Sequence, residues 1–177
     1  MFRTIEGAWV EDWNQILDEF SPIVWKQTLR MLGNASDAAD CFQIVMLEAF
    51  ELSKRQEVHA WGPFLRRLAT LRALDRLRAR YRERNDPRPV DELDIPAKDS
   101  RSNAALDYQE LAEMLRAALT QIPANQAEAF GLRWIDEFTN EEVAERMQIT
   151  PNHVRVLLHR ARSALQRLLR AEGEHRP

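Results

Sequence analysis

Cysteine and glycine are both scarce in this chain of 177 residues, which has one cysteine and five glycines. A single cysteine excludes an intramolecular disulfide and a zinc site built from several cysteines. Cys41 lies on an apolar helical stripe, which favours a small buried core residue over a reactive thiol. Because glycine is rare, Leu, Ala, Arg and Glu are abundant and alternating β-branched runs are missing, the composition predicts an almost entirely α-helical protein.

Long apolar runs and catalytic motifs are also missing. No stretch is apolar for long enough to cross a bilayer and no signal peptide is recognisable, so we expect a cytoplasmic protein without membrane insertion. The chain has no Gly-rich phosphate loop, no HExxH and no catalytic grouping of Ser, Cys or His. The four histidines, His59, His153, His159 and His175, are scattered. We therefore expect no enzyme activity, no cofactor and no bound metal.

The net charge of −3 is distributed unevenly along the chain. Residues 1–60 carry −5, residues 61–88 carry +6, residues 89–140 carry −6 and residues 141–177 carry +2. Local fields rather than the total charge attract a polyanion. The two basic stretches are therefore candidates for nucleic-acid contact even though the whole chain is acidic.

Residues 139–170 predict a helix, a tight turn and a longer second helix. Thr139 and Glu142 are spaced as a capping box that starts the first helix, and Thr150 followed by Pro151 is a typical start for the second. Apolar residues recur along the second helix at three- and four-residue spacing and predict one buried face. They are Val154, Leu157, Leu158, Ala161, Leu165 and Leu168.

The opposite face of this second helix is basic and carries amide and imidazole groups. Its residues are Asn152, His153, Arg155, Val156, His159, Arg160 and Arg162, and no acid lies between Thr150 and Ala171. A DNA-binding helix-turn-helix has a small residue in its first helix and an apolar residue in its turn, and Ala144 and Ile149 occupy these positions. The second helix of such a motif enters the major groove of DNA. An ordinary helical hairpin with a solvated basic face is the alternative. Gln148 occupies a turn position that usually holds glycine.

A long arginine-rich helix is predicted after Trp61-Gly62-Pro63. Its surface carries Arg66, Arg67, Arg72, Arg76, Arg80 and Arg82. A purely structural helix normally mixes both signs so that residues four apart can pair, whereas arginines alone suit phosphate contact. A solvated basic helix or a surface for a partner protein fits the residues equally well.

The remaining segments predict an all-α fold with two small domains. Residues 1–11 show no pattern that predicts a helix or strand. Residues 12–31 predict amphipathic helical structure, with a second helix starting at Pro22. Gly33-Asn34 ends that helix, and Ser36 or Asp37 begins the next. Residues 85–102 contain three prolines and five acids, which is typical of a linker. We expect domains at 12–85 and 104–171, the second containing the helix-turn-helix, joined by an acidic linker at 86–103.

In this order, the segments resemble the extracytoplasmic-function (ECF) group of the sigma-70 family of bacterial RNA polymerase sigma factors. DAADCFQIVMLEAF resembles the segment that docks on the clamp helices of the polymerase β′ subunit, and WGPFLRRLATLRALDRLRAR resembles the helix that reads the −10 promoter element. The C-terminal part, from Ile122-Pro123 to HRARSAL, resembles the domain that reads the −35 element. The resemblance implies an alternative sigma factor whose partners are core RNA polymerase (β′ clamp helices and β flap), promoter DNA and an anti-sigma factor.

The resemblance also implies roles for matching positions. It assigns polymerase docking to Asp37, Asp40, Gln43 and Leu47. It assigns −10 DNA contacts to Arg67, Arg72, Arg76 and Arg78, with Asp75 supporting the fold, and −35 contacts to Asn152, His153, Arg155, Val156, His159 and Arg160. Three positions depart from the family: Ile44 replaces an acid, Leu71 replaces a frequent asparagine, and Gln148 replaces the turn glycine. These departures suggest a divergent member.

Two other functions remain compatible with the residues. A stand-alone helix-turn-helix transcriptional regulator would dimerise and bind its DNA sequence without polymerase. A helical protein-interaction adaptor would use the arginine faces to bind acidic proteins and would show no promoter dependence.

Overall fold

The computed structural model describes residues 3–5, 8–10, 13–85 and 103–174. In these ranges a short antiparallel hairpin precedes seven helices, so the all-α prediction is confirmed for all but the N-terminal residues. The elements are β1 (Arg3–Ile5), β2 (Ala8–Val10), α1 (Trp13–Leu32), α2 (Ala35–Ser53), α3 (Trp61–Asn85), α4 (Asn103–Gln121), α5 (Ala124–Trp134), α6 (Asn140–Met147) and α7 (Pro151–Glu174). Thr4 pairs with Trp9 at the centre of the hairpin. None of the described helices is long and apolar enough to span a membrane.

The break between α1 and α2 follows the predicted glycine signal. Gly33 has a φ of 76°, a left-handed conformation that glycine adopts without a steric penalty, and its N–H donates to the Leu29 carbonyl (2.9 Å). The Asn34 side chain then accepts a hydrogen bond from the Asp37 N–H (2.7 Å) and caps α2. The second helix therefore starts at Ala35, slightly earlier than predicted.

The predicted helix break at Pro22 is wrong, since Pro22 lies inside a continuous α1. A proline removes one backbone hydrogen bond, here to the carbonyl of Asp18. Asp18 and Pro22 are both exposed, so water can solvate that carbonyl. The buried residues that follow, Val24 and Thr28 among them, pack on the core and keep the helix continuous.

The main hydrophobic core is shared by the two predicted domains. Met31, Leu32, Leu74 and Leu77 from α1 and α3 belong to one buried cluster with Ala118, Leu119, Ile122, Ala127, Ala161 and Leu165 from α4, α5 and α7. A smaller cluster under the helix-turn-helix consists of Ala129, Leu132, Phe138, Val143, Ala144, Val154, Leu157 and Leu158. The two halves therefore pack directly against each other. Of the predicted linker, residues 86–102 lie outside the described residues.

Cys41 belongs to the shared core and is 2% exposed. Burial raises the pKa of its thiol to about 11. The prediction of a structural cysteine is therefore confirmed, because a thiol of this kind stays protonated at neutral pH.

Candidate nucleic-acid interface

The turn between α6 and α7 is built by local hydrogen bonds that the sequence predicts. The Thr139 N–H donates to Glu142 Oε2 (2.8 Å) and the Glu142 N–H donates to Thr139 Oγ1 (3.2 Å), which confirms the capping box. Thr150 Oγ1 accepts from the His153 N–H (3.2 Å) at the start of α7. Gln148 takes the left-handed conformation expected at the turn, with a φ of 55°.

The outer face of α7 is open to solvent. Val154, Leu157 and Leu158 are buried beneath it. The six predicted −35 contact residues, Asn152, His153, Arg155, Val156, His159 and Arg160, are all exposed. Among the described residues, neither Arg155 nor Arg160 has an acidic partner, so their guanidinium groups are available to an external anion. A neighbouring arginine, Arg162, instead lies over the Trp134 ring (4.4 Å).

The arginines of α3 differ, because the four that the sequence predicts as DNA contacts all have intramolecular partners. Arg72 forms a two-point ion pair with Glu48 of α2 (2.5 and 2.6 Å) and also contacts Asp75 (3.0 Å). Hydrogen bonding to Glu48 raises the pKa of the Arg72 guanidinium. Arg78 makes a longer contact with Asp75 (3.5 Å).

Asp37 of α2 is the shared ion-pair partner of two further arginines on α3. Arg76 donates to Asp37 Oδ1 (2.6 Å) and Arg80 donates to Oδ2 (3.2 Å). Burial raises the pKa of Asp37, but hydrogen bonds from Asn34 and Arg76 and the charges of Arg76 and Arg80 outweigh it, so the net pKa is lowered. Asp37 is 8% exposed and lies at the α2–α3 contact, where it pairs with two arginines of α3. The polymerase-docking role predicted for it stays a prediction.

Arg67 reaches across to the C-terminal half. Its Nε donates to Glu128 Oε1 of α5 (2.8 Å), and its Nη1 donates to the Arg146 carbonyl at the end of α6. The sequence pattern alone suggested an unpaired basic helix because the paired acids other than Asp75 lie on α2 and α5, far away in sequence. In the isolated chain these arginines of α3 are therefore paired within the protein, and their contacts with DNA stay a prediction.

The other three predicted docking residues share one exposed face of α2. Asp40, Gln43 and Leu47 recur at helical spacing, and Ile44 lies among them. Ile44 is 52% exposed and Leu47 is 64% exposed, an unusual degree of exposure for such large apolar side chains. The face borders a groove of about 560 Å³, which is completed by α3 residues including Arg72 and Arg76. The replacement of an acid by Ile44 thus makes this face more apolar.

Comparison with known proteins matches both halves of the chain to one family. The description "Sigma-70 region 2" matches residues 16–83, and "Sigma-70, region 4" matches residues 112–165. Curated relatives include the ECF RNA polymerase sigma factor SigE of Mycolicibacterium smegmatis, at 26% identity, and SigW of Bacillus subtilis, at 24%. The chain belongs to the ECF group of the sigma-70 family.

These matches differ in how much of each protein they cover. The SigE match covers 92% of this chain but 63% of SigE, and the SigW match covers 88% of this chain and 87% of SigW. Among solved structures, the sigma factor RpoE, crystallised with the anti-sigma factor NepR from Bartonella quintana, has a TM-score of 0.53 at 23% identity. That match covers 91% of this chain and 98% of RpoE, so the two proteins share a fold. The region 2 match lies within α1–α3, and the region 4 match begins within α4 and continues into α7.

A buried polar chain between the two regions was not predicted from the sequence. Gln27 Nε2 of α1 donates to Thr70 Oγ1 of α3 (3.0 Å), and the Thr70 hydroxyl donates to Asp136 Oδ2 (2.7 Å). Burial raises the pKa of Asp136 to about 6, although Thr70 and three nearby arginines oppose this shift. One sequence signal was available, since Gly131 lies inside helix α5, where glycine often marks a close approach.

Proposed function

We propose that this chain is an alternative sigma factor, which binds core RNA polymerase and directs transcription initiation at a specific set of promoters. The observation that carries this proposal is the combination, in one chain, of an exposed apolar docking face on α2 with an open recognition helix in α7. Family membership supports the same function. In a stand-alone DNA-binding regulator α7 would bind DNA and the α2 face would serve dimerisation, so binding to polymerase is what distinguishes the two functions.

The α2 face suits a protein partner. Ile44 and Leu47 expose apolar surface, and Asp40 and Gln43 beside them can form hydrogen bonds. Desolvating the two apolar side chains supplies affinity, while the polar neighbours determine orientation. We assign this face to the clamp helices of the polymerase β′ subunit, with Asp37 placed behind it as a structural residue.

The two DNA-binding helices have unequal roles in the isolated chain. Helix α7 presents Arg155, His159 and Arg160 to solvent and is assigned to the −35 element. Helix α3 is assigned to the −10 element, yet Arg67, Arg72, Arg76 and Arg78 already have partners. Binding DNA through these four arginines therefore requires them to exchange a carboxylate or carbonyl for a phosphate.

Polymerase is needed because each DNA contact is weak alone. A chain with a net charge of −3 gains little from general electrostatic attraction to DNA. Once both regions are bound to polymerase, the second promoter contact becomes effectively intramolecular, and weak contacts combine. This logic explains how a protein with a net negative charge can still select a promoter.

An anti-sigma factor is a further proposed partner. It is suggested by RpoE, whose structure was determined in complex with the anti-sigma factor NepR. Such a partner would regulate this chain by competing for the surfaces that polymerase or DNA uses.

The test is co-elution of the purified protein with bacterial core RNA polymerase, followed by run-off transcription from genomic fragments. A one-to-one complex that initiates at few promoters supports the proposal. Leu47→Asp should abolish co-elution, whereas Leu111→Asp should not, since Leu111 is similarly exposed (53%) but lies on α4. A chain that elutes apart from polymerase yet shifts one DNA fragment alone would instead be a stand-alone regulator. Failure of both experiments would leave the adaptor alternative.

A further inference from the structure

Val156 is an apolar side chain on the polar outer face of α7. It is 38% exposed, whereas the other five predicted −35 contact residues are polar or charged. Its neighbours at helical spacing are Asn152 and His153 on the preceding turn and His159 and Arg160 on the next, and all four are exposed. Val156 therefore lies at the centre of the face assigned to DNA, with hydrogen-bonding groups on both sides.

The orientation of Val156 is fixed by the opposite face of the helix. Val154 is 0% exposed and Leu157 is 2% exposed, and both belong to the smaller cluster under the helix-turn-helix. The helix therefore cannot roll to turn Val156 inward without exposing these two residues. Valine in a helix also has one strongly preferred side-chain rotamer. The two methyl groups of Val156 thus have a defined direction before DNA binds.

Val156 lies near the end of α7 that meets the bases in a helix-turn-helix. Helix α7 begins at Pro151, and a rise of about 1.5 Å per residue places Val156 roughly 8 Å from that end. The major groove of DNA is about 12 Å wide, and a recognition helix contacts base edges through its N-terminal residues. Val156 is therefore within reach of a base when α7 enters the groove.

One chemical group in the major groove matches an aliphatic side chain. All four bases present hydrogen-bond donors or acceptors there, and among the unmodified bases thymine alone also presents an apolar group, its 5-methyl. A valine that covered a donor or acceptor would remove its hydrogen bond to water without replacing it. Contact with the thymine methyl instead removes apolar surface from water on both partners, which is favourable.

We propose that Val156 recognises the 5-methyl group of one thymine in the −35 element. This rests on the proposed function, because it takes α7 as the helix that contacts promoter DNA. The polar neighbours of Val156 supply hydrogen bonds to bases and phosphates, and Val156 adds selection for thymine at one position. Uracil has the same hydrogen-bonding edge as thymine and lacks only this methyl group, so it isolates the contact.

The first test selects promoters from DNA with a randomised −35 element, using the full chain bound to core RNA polymerase. The wild-type protein should select thymine at one position of one strand. Val156→Ala removes both methyl groups and should lose the preference at that position alone. Arg155→Ala, at the adjacent residue, is the matched control and should keep the preference for this thymine. Circular dichroism checks that both variants are folded, as expected for changes to exposed side chains.

The second test replaces the selected thymine by uracil in one promoter duplex. Binding of the wild-type holoenzyme should weaken about fourfold, the value for one methyl group that is no longer buried. Binding of the Val156→Ala holoenzyme should be the same for both duplexes. The two proteins and two duplexes form a double-mutant cycle, which isolates the contact between Val156 and the methyl group. Uracil at a thymine outside the −35 and −10 elements controls for a general effect of the base.

Three outcomes would overturn the proposal. The wild-type holoenzyme could select no thymine in the −35 element, or uracil in place of the selected thymine could leave binding unchanged. An equal loss with the wild-type and Val156→Ala proteins would show that another residue contacts the methyl group. A failure of the proposed function is distinguishable, since it would appear as no co-elution with core polymerase. The same selection and uracil comparison would then be made with the chain alone, because a stand-alone regulator would also bind DNA through α7.

Discussion

Replacing Asp136 by asparagine should stabilise the protein at neutral pH. Asp136 is 7% exposed, and the Thr70 hydroxyl donates to its Oδ2 at 2.7 Å. Burial is the largest influence on this carboxyl and raises its pKa to about 6 from an ordinary 3.8, while Thr70, Arg66, Arg30 and Arg146 oppose the shift. Asparagine keeps an oxygen that can accept from Thr70 but carries no charge to desolvate.

The sign and size follow from the raised pKa. The folded protein favours protonated Asp136, so this contribution to stability is complete below pH 3.8 and is lost as the pH rises through about 6. A shift of this size corresponds to on the order of 3 kcal/mol, as an upper value, at pH 7. We therefore expect Asp136→Asn to raise the free energy of unfolding by about 1–3 kcal/mol at pH 7 and by little at pH 4.

Urea unfolding of both proteins between pH 4 and pH 8, followed by circular dichroism, measures this difference. Asp18→Asn is the control for removal of one acidic charge, because Asp18 is exposed. Three other acids have lowered pKa values: Asp37, Glu51 and Glu142. Their contributions to the stability of the folded protein are lost only at lower pH, and this loss is the same in the variant and the wild-type protein. The reasoning would be refuted if the difference in the free energy of unfolding between Asp136→Asn and the wild-type protein did not change with pH. It would also be refuted if the variant were less stable at pH 7, which would show that the three arginines stabilise ionised Asp136.

Three further predictions concern the helix-turn-helix. Thr139→Ala removes the side chain that accepts from the Glu142 N–H (3.2 Å) and should lower stability by about 1 kcal/mol in urea unfolding, whereas Thr139→Ser should not. Gln148→Gly should stabilise by up to about 1 kcal/mol, because Gln148 has a φ of 55°; lower stability would show that the Gln148 side chain matters more than its backbone. Arg155→Ala should weaken binding at one −35 position by about 1–3 kcal/mol in a promoter competition assay. An equal loss on all sequences would assign Arg155 to phosphate, and no loss would remove it from the interface.

The helix-turn-helix could be predicted from the sequence because its signals act over a few residues. The capping box joins Thr139 and Glu142, and the buried stripe of α7 follows from helical spacing. Gln148 is also governed by local geometry, since the turn requires a left-handed backbone conformation at this position whichever side chain is present. The sequence also placed the helix break at Gly33, for which the backbone conformation alone is sufficient.

Long-range packing explains what could not be predicted. Pro22 carries a strong local signal for a break, yet α1 continues because the residues beyond it are buried. The arginine surface of α3 suggests unpaired charge, but Arg67 pairs with Glu128, 61 residues away, and Arg76 with Asp37, 39 residues away. Nothing in the spacing of α3 shows where those carboxylates lie.

The amino-acid order was sufficient for the helices, the turn, the exposed face of α7 and the likeness to sigma factors, because capping, helical periodicity and motif spacing are properties of neighbouring residues. The association of the two regions required the folded structure. It depends on whether Gly131 reaches Thr70 and whether Asp136 finds a donor, and both depend on how separate helices pack. Packing brings together groups that are far apart in the chain, so it decides which arginines remain free to bind DNA.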